Sequence, residues 1–134
     1  MKFKKFTLKP NIDNRRTLTA LELKDYIDFE VKRIYYFCNI KKEAGGHCHK
    51  VEKELFVCEQ GEAVLEIDEG GGVKDIPLKQ NEAAYVDNHV WHRFKSASAD
   101  VLLLALSSTN YNPSREDYIE DYQDFTKTLK HLSN

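Results

Sequence analysis

The chain reads as an all-β sandwich or barrel closed by one C-terminal helix, and three observations carry that reading. Short β-branched and aromatic segments recur at near-regular spacing from the N-terminus to Leu106. Turn signals rich in Gly, Asn and Asp divide them. Beyond Pro113 the apolar period lengthens from that of a strand to that of a helix. With 134 residues, a single domain has enough chain to bury a core without staples.

Each element follows from its residues. Residues 2–8 alternate, with Phe3 and Phe6 as apolar anchors, and predict an edge strand. Residues 11–16 form a polar turn, and 18–22 resume alternation. Residues 29–39 (FEVKRIYYFCN) are β-branched and aromatic and predict a strand. Ala44-Gly45-Gly46 is expected to break it, with the next strand opening at His47. Residues 54–58 form a strand that turns at Gln60-Gly61 into 62–68. Glu69-Gly70-Gly71-Gly72 predicts a hairpin loop, because glycine supplies the positive φ angles such turns need. Segments 73–78, 83–86, 91–94 and 101–106 complete the set. The last element is expected at about 114–132, with Ser114 as N-cap answered by Asp117. Tyr118, Tyr122, Phe125, Leu129 and Leu132 would form its packed stripe, and Lys127, Lys130 and His131 suit its C-terminal dipole.

Composition narrows the function. A chain 41% hydrophobic and 31% charged is globular, not disordered. A net charge of −2 with no basic run argues against a nucleic-acid binder. The longest apolar run, 101–106, is far too short for a bilayer, and the opening MKFKKFTLKP lacks a secretory apolar region, so no membrane partner is expected. Three cysteines without CxxC spacing point to reduced thiols and a cytoplasmic protein.

The chemistry concentrates in GGHCHKVEKELFVCEQG. On an extended chain residues two apart share a face, so His47 and His49 look into one space. Paired imidazoles there either move protons or hold a metal. Glu54 and the later His92 complete a plausible ligand set with them, while the KVEKE run allows Glu54 to be a solvated strand carboxylate. Cys48 should face the other way, as a small buried hydrophobe. Guanidinium forks suit phosphate oxygens, which makes Arg15 and Arg33, and after them Arg16 and Arg93, candidates for an anionic ligand. Arg33 and Tyr35 share a strand face, so both can enter one cavity. Trp91 is expected as a wall or stacking surface of the same cavity. His89 and His131 receive no role.

A short-stranded barrel carrying His47, His49, Glu54 and Gly61 at these spacings, then Trp91-His92, resembles a cupin: a double-stranded β-helix or jelly-roll barrel. The whole chain resembles more closely the dTDP-4-keto-6-deoxyglucose 3,4-ketoisomerases of bacterial surface-polysaccharide (O-antigen-type) synthesis. The resemblance rests on Ile12-Asp13-Asn14-Arg15, Val31-Lys32-Arg33-Ile34-Tyr35-Tyr36, His47-Cys48-His49-Lys50, Val90-Trp91-His92 and Asp117-Tyr118-Ile119 with Asp121-Tyr122 and Phe125. Two positions depart from it. The family carries an Arg before its HxH segment where this chain has Gly45-Gly46, and a Gln where it has Glu54.

The resemblance implies a metal-free isomerase without cofactor. His47 and His49 would pass protons through an enediol, turning a dTDP-linked 4-keto sugar into the 3-keto isomer. Arg15, Arg33, Tyr35, Trp91 and His92 would hold the substrate. A homodimer is expected, because an exposed N-terminal edge strand invites pairing with a second copy. Two alternatives stay open: a metal-dependent cupin using His47, His49, Glu54 and His92, and a non-catalytic sugar-nucleotide binding module.

Overall fold

Alternating side chains give most strands one face for the interior and one for an outer layer. In the computed structural model, which describes residues 2–41 and 44–133, the strands are β1 (Phe3–Thr7), β2 (Asn11–Ile12), β3 (Thr17–Leu18), β4 (Arg33–Cys38), β5 (Ala44–His49), β6 (Glu54–Gln60), β7 (Glu62–Asp68), β8 (Val73–Lys79), β9 (Glu82–Val86), β10 (Trp91–Ala97), β11 (Leu102–Ser107) and β12 (Tyr118–Ile119), followed by helix α1 (Tyr122–Leu132). One antiparallel sheet runs β1-β9-β6-β11-β4 and a second runs β12-β5-β10-β7-β8, while β2 and β3 pair with each other. This is the expected all-β barrel with a C-terminal helix.

Three apolar layers follow from the alternation. Between the sheets lie Phe56, Cys58, Leu65, Ile67, Leu78, Val86, Phe94, Leu103 and Ala105. The outer face of the first sheet, with Leu55, Val57, Tyr85 and Leu106, is covered by the chain from Leu21 to Val31 through Tyr26, Ile27 and Phe29. The outer face of the second sheet presents Cys48 and Trp91, which Ile119, Phe125 and Leu129 cover. Burying each large apolar side chain contributes about 1.5–3 kcal/mol, so both outer layers matter to stability.

Gly61, between β6 and β7, has φ +73°, and a Cβ there would meet Val101 Cα at 2.9 Å. Glycine is therefore required at that turn.

Several boundaries differ from the sequence reading. Residues 18–22 do not form a strand: Leu18 ends the small hairpin, and a single 3-10 turn follows at Leu23–Asp25. The strand expected over 29–39 begins only at Arg33, because Phe29 and Val31 leave the sheet edge to cover its outer face. Gly45-Gly46 lie inside β5 instead of breaking the chain, drawn into the ladder by the Phe94–Ala44 and His92–His47 pairings. The surroundings of Gly45 lie outside the described residues.

The helix starts at Tyr122, not Ser114. Asp121 is its N-cap and accepts the Asp124 N–H at 3.0 Å. Residues 112–118 instead make consecutive turns, with Arg115 at φ +56°. Tyr118 and Ile119 join the free edge of β5. Pairing with an open sheet edge outweighs the local helix-start signal.

Candidate active site

Strand register assembles one cluster at one end of the barrel. β5 turns His47 and His49 inward, and their Nε2 atoms stand 3.1 Å apart. His92 pairs in register with His47 across β10 and β5, with ring centroids 4.8 Å apart. On the facing sheet Ser107 is in register with both Arg33 and Glu54. A cation, a hydroxyl and a carboxylate therefore lie in one row. Tyr35, two residues along β4 from Arg33, donates its hydroxyl to Glu54 Oε2.

Glu54 is 1% exposed and lies at the centre. Its Oε1 is 3.2 Å from His49 Nε2 and 3.3 Å from His92 Nε2, at angles that make no hydrogen bond. Burial opposes its charge, but the adjacent His49 and His92 rings prevail and hold the carboxyl below the usual range. Tyr35 moves the other way: burial first, then the Glu54 and Glu52 charges, raise its hydroxyl far above the ordinary tyrosine range. Tyr35 is a neutral hydrogen-bond donor here.

His49 is gripped on both ring nitrogens. Nδ1 lies 2.9 Å from Asp117 Oδ2, and Nε2 lies 3.0 Å from Glu52 Oε2. Asp117 is itself fixed by the backbone N–H of Val51 at 2.6 Å. Glu52 Oε1 accepts from Arg33 at 2.7 Å, Ser107 at 2.6 Å and Thr109 at 2.5 Å. Burial alone would lower the His49 pKa, yet Glu54, Glu52 and Asp117 together raise it. His47 has no carboxylate of its own. Burial, with the charges of His92 and His49, pushes it down to about 2. The strand thus carries one imidazole that favours its charged form and one that stays neutral.

His92 donates Nδ1–H to the Val90 carbonyl at 3.0 Å, which aims Nε2 into the cluster. Tyr118 lies over the pair, its ring centroid 5.0 Å from His47 and 4.6 Å from His49. Arg115 stacks on Tyr118 at 3.9 Å. A cleft of about 350 Å³ abuts the cluster, lined by Arg33, Glu52, Tyr111, Asp117 and Tyr118 among others. A larger one of about 730 Å³ lies along α1 and contains none of the clustered residues. The smaller cleft is lined by the carboxylate partners of His49, Glu52 and Asp117.

The structure brings together six of the residues singled out in the sequence: His47, His49, Glu54, His92, Arg33 and Tyr35. Four other candidates lie away from this cluster. Trp91 precedes His92 on β10 and so faces outward, with its ring 5.3 Å from Tyr122 beneath the helix. Arg15 sits at the tip of the β2–β3 hairpin, exposed and paired with Asp13 at 3.1 Å. Arg16 is likewise exposed, and Arg93 bonds Glu66 on the outer face. Cys48 faces away from the histidines as expected, and burial pushes its thiol up to about 12, which disfavours the thiolate.

Sequence reasoning missed Glu52, Asp117 and Tyr118. Asp117 was hidden by its apparent role in a helix start. Glu52 shares the parity of Glu54, and that period-two signal stood in the KVEKE run.

The donor set also fits a divalent first-row cation. The ligand atoms of His47, His49, Glu54 and His92 all lie within 4.8 Å of one another, and imidazole with carboxylate suits such ions.

Comparisons with known proteins agree along the whole chain. The family model described as FdtA, WxcM-like, C-terminal matches residues 1–130. A TDP-4-oxo-6-deoxy-alpha-D-glucose-3,4-oxoisomerase from Aneurinibacillus thermoaerophilus is 32% identical over 136 residues, covering 99% of this chain and 96% of its own. The crystal structure of a 3,4-ketoisomerase from Helicobacter canadensis superposes with TM-score 0.86 at 32% identity, over 97% of this chain and 98% of that one. A variant of the 3,4-ketoisomerase QdtA from Thermoanaerobacterium thermosaccharolyticum, in complex with TDP-4-keto-6-deoxyglucose, superposes with TM-score 0.86 at 26% identity, over 97% of this chain and 95% of that one. The chain belongs to the FdtA family, WxcM-like, C-terminal.

Proposed function

We propose that this protein is a sugar-nucleotide 3,4-ketoisomerase that converts TDP-4-keto-6-deoxyglucose into the 3-keto-6-deoxyhexose isomer. The observation that carries the reading is the His47–His49 pair, 3.1 Å apart on one strand and driven to opposite protonation preferences. Moving a ketone from C4 to C3 transfers one proton between carbons and one between oxygens. Two imidazoles of opposite state divide that work.

In the first half-reaction the neutral His47 Nε2 takes the C3 proton. The C3–H electron pair forms the C3–C4 double bond, and O4 takes the Nε2 proton of cationic His49, giving the enediol. In the second half O3–H returns its proton to His49 and the C3 carbonyl forms. The C3–C4 electrons then take the proton from His47 at C4. Both rings end as they began. The low basicity of His47 keeps the proton from being stored there, and the charges of Glu54, Glu52 and Asp117 favour return of the O3 proton to His49. Arg33, whose guanidinium lies between the Tyr35 and Tyr111 rings at 5.3 and 5.6 Å, supplies positive charge at the cleft for the diphosphate.

The product feeds deoxysugar synthesis, and the setting we assign is surface polysaccharide, with transamination at C3 as the following class of reaction. The described cysteines are all free thiols, as a reducing cytoplasm requires. Among the described residues, no helix is long and apolar enough to cross a membrane. The working form we propose is a homodimer. β1 and β4 are both sheet edges, and Ile34 and Tyr36 on β4 are 62% and 70% exposed.

A second reading, a metal-dependent cupin, draws on the same four donors. A cation held there would polarise the sugar oxygens. One experiment separates the two. Purified protein, with and without chelator treatment, is mixed with TDP-4-keto-6-deoxyglucose and the sugar signals are followed by NMR. Appearance of a 3-keto sugar from the chelated protein supports proton transfer by histidine. Product from untreated protein alone supports the metal, and product from neither overturns both.

A further inference from the structure

The cleft beside the histidine pair is short of positive charge for a diphosphate. Among the described residues its lining carries two cations, Arg33 and Lys50, against three carboxylates, Glu52, Glu116 and Asp117. Arg33 already donates from Nη2 to Glu52 at 2.7 Å. Two phosphates entering there meet a wall of negative balance unless a further cation joins them.

The turn that walls the cleft carries that cation. Asn112, Glu116, Asp117 and Tyr118 line the cleft, and Arg115 belongs to the same turn. Its N–H donates to the Asn112 carbonyl and its carbonyl accepts from the Tyr118 N–H, each at 3.1 Å. Arg115 has φ +56°, a left-handed conformation that side-chain-bearing residues rarely adopt and that gathers at functional sites. Its guanidinium stacks on Tyr118 at 3.9 Å, and Tyr118 lies over both histidines. Tyr111 stands between the two arginines. Its ring is 5.6 Å from the Arg33 guanidinium, and its hydroxyl, after Glu120, helps keep Arg115 charged. Arg115 donates Nε–H to Glu120 at 2.8 Å in an exposed pair. Exposed pairs are weak, so the guanidinium can exchange this carboxylate for phosphate oxygens.

We propose that Arg115 is a second diphosphate clamp, taking a phosphate of the nucleoside diphosphate at the outer rim of the cleft while Arg33 takes the other from the wall. It serves substrate binding and has no part in the proton transfers. The proposal rests on the sugar-nucleotide reading of the site.

The test compares the parent protein with Arg115→Gln and Arg115→Lys. TDP alone is titrated by calorimetry, and initial rates on TDP-4-keto-6-deoxyglucose give KM and kcat. For Arg115→Gln the expected result is TDP affinity weakened about tenfold, KM raised by a similar factor and kcat nearly unchanged. Arg115→Lys keeps the charge without the fork, so its affinity should fall between the two. It also carries the test if the Gln variant fails to fold. Inhibition by thymidine, which has the base and no phosphate, should be equal in parent and variants. Unchanged TDP affinity and KM overturn the clamp. A fall in kcat at constant KM, or thymidine inhibition weakened by the same factor as TDP binding, also overturns it, by moving Arg115 to the sugar or the base. A parent protein that binds TDP and converts no keto sugar refutes the isomerase reading, while calorimetry still decides the clamp. A parent protein that does not bind TDP overturns both.

Discussion

Asparagine at position 47 keeps much of the size and polarity of histidine but carries no basic nitrogen, so His47→Asn isolates the carbon-proton step. We expect kcat to fall about 100- to 10,000-fold with little change in KM, measured by initial rates on the keto sugar. The pH dependence follows from the opposed shifts. Turnover needs His47 neutral and His49 charged. His47 stays neutral far below the ordinary 6.5, to about 2, so no acid limb arises from it in the neutral range. His49 is raised, so the alkaline limb of kcat/KM lies above the ordinary histidine value, and Asp117→Asn should move that limb to lower pH. The inward pairing of the histidines and the outward direction of Cys48 were legible from strand period alone. Of the carboxylates that tune His49, Glu54 was named from the sequence, and Glu52 and Asp117 were not. Glu52 lies between strands and Asp117 lies 68 residues away from His49, and only tertiary folding joins them.

At the scale of elements, the strands were legible because alternation reports burial directly. Boundaries failed where a tertiary partner competed with a local signal. Pro113-Ser114 is a sound helix start in isolation, but the open edge of β5 recruits Tyr118 and Ile119 and postpones the helix to Asp121. Asp121→Ala should therefore cost about 1 kcal/mol, read as a lowered melting temperature, while Ser114→Ala should leave the melt nearly unchanged. The apolar stripe beneath the helix is the larger contribution. Phe125, 1% exposed against Trp91, should cost about 3–5 kcal/mol when replaced by Ala. Trp91 shows how one residue of strand parity separates a packing role from a binding one: His92 faces the site and Trp91 the helix.

The whole molecule was the most legible scale, because matching segments run from the N-terminal turn to the C-terminal helix and agree on one architecture. What a single chain leaves open at its surface is assembly. The exposed Ile34 and Tyr36 beside the β4 edge predict association, and analytical ultracentrifugation should give twice the 15.6 kDa chain mass, with Tyr36→Glu shifting the population toward monomer. The central claim, that a strand-borne histidine pair carries the isomerisation, is tested most directly by NMR in D2O with TDP-4-keto-6-deoxyglucose, comparing the parent protein with His47→Asn and His49→Asn. The account predicts loss of the C3 proton signal and appearance of the 3-keto product for the parent protein, and neither at a comparable rate for the variants. Conversion by either variant at the parent rate, or no conversion by the parent protein, would contradict it.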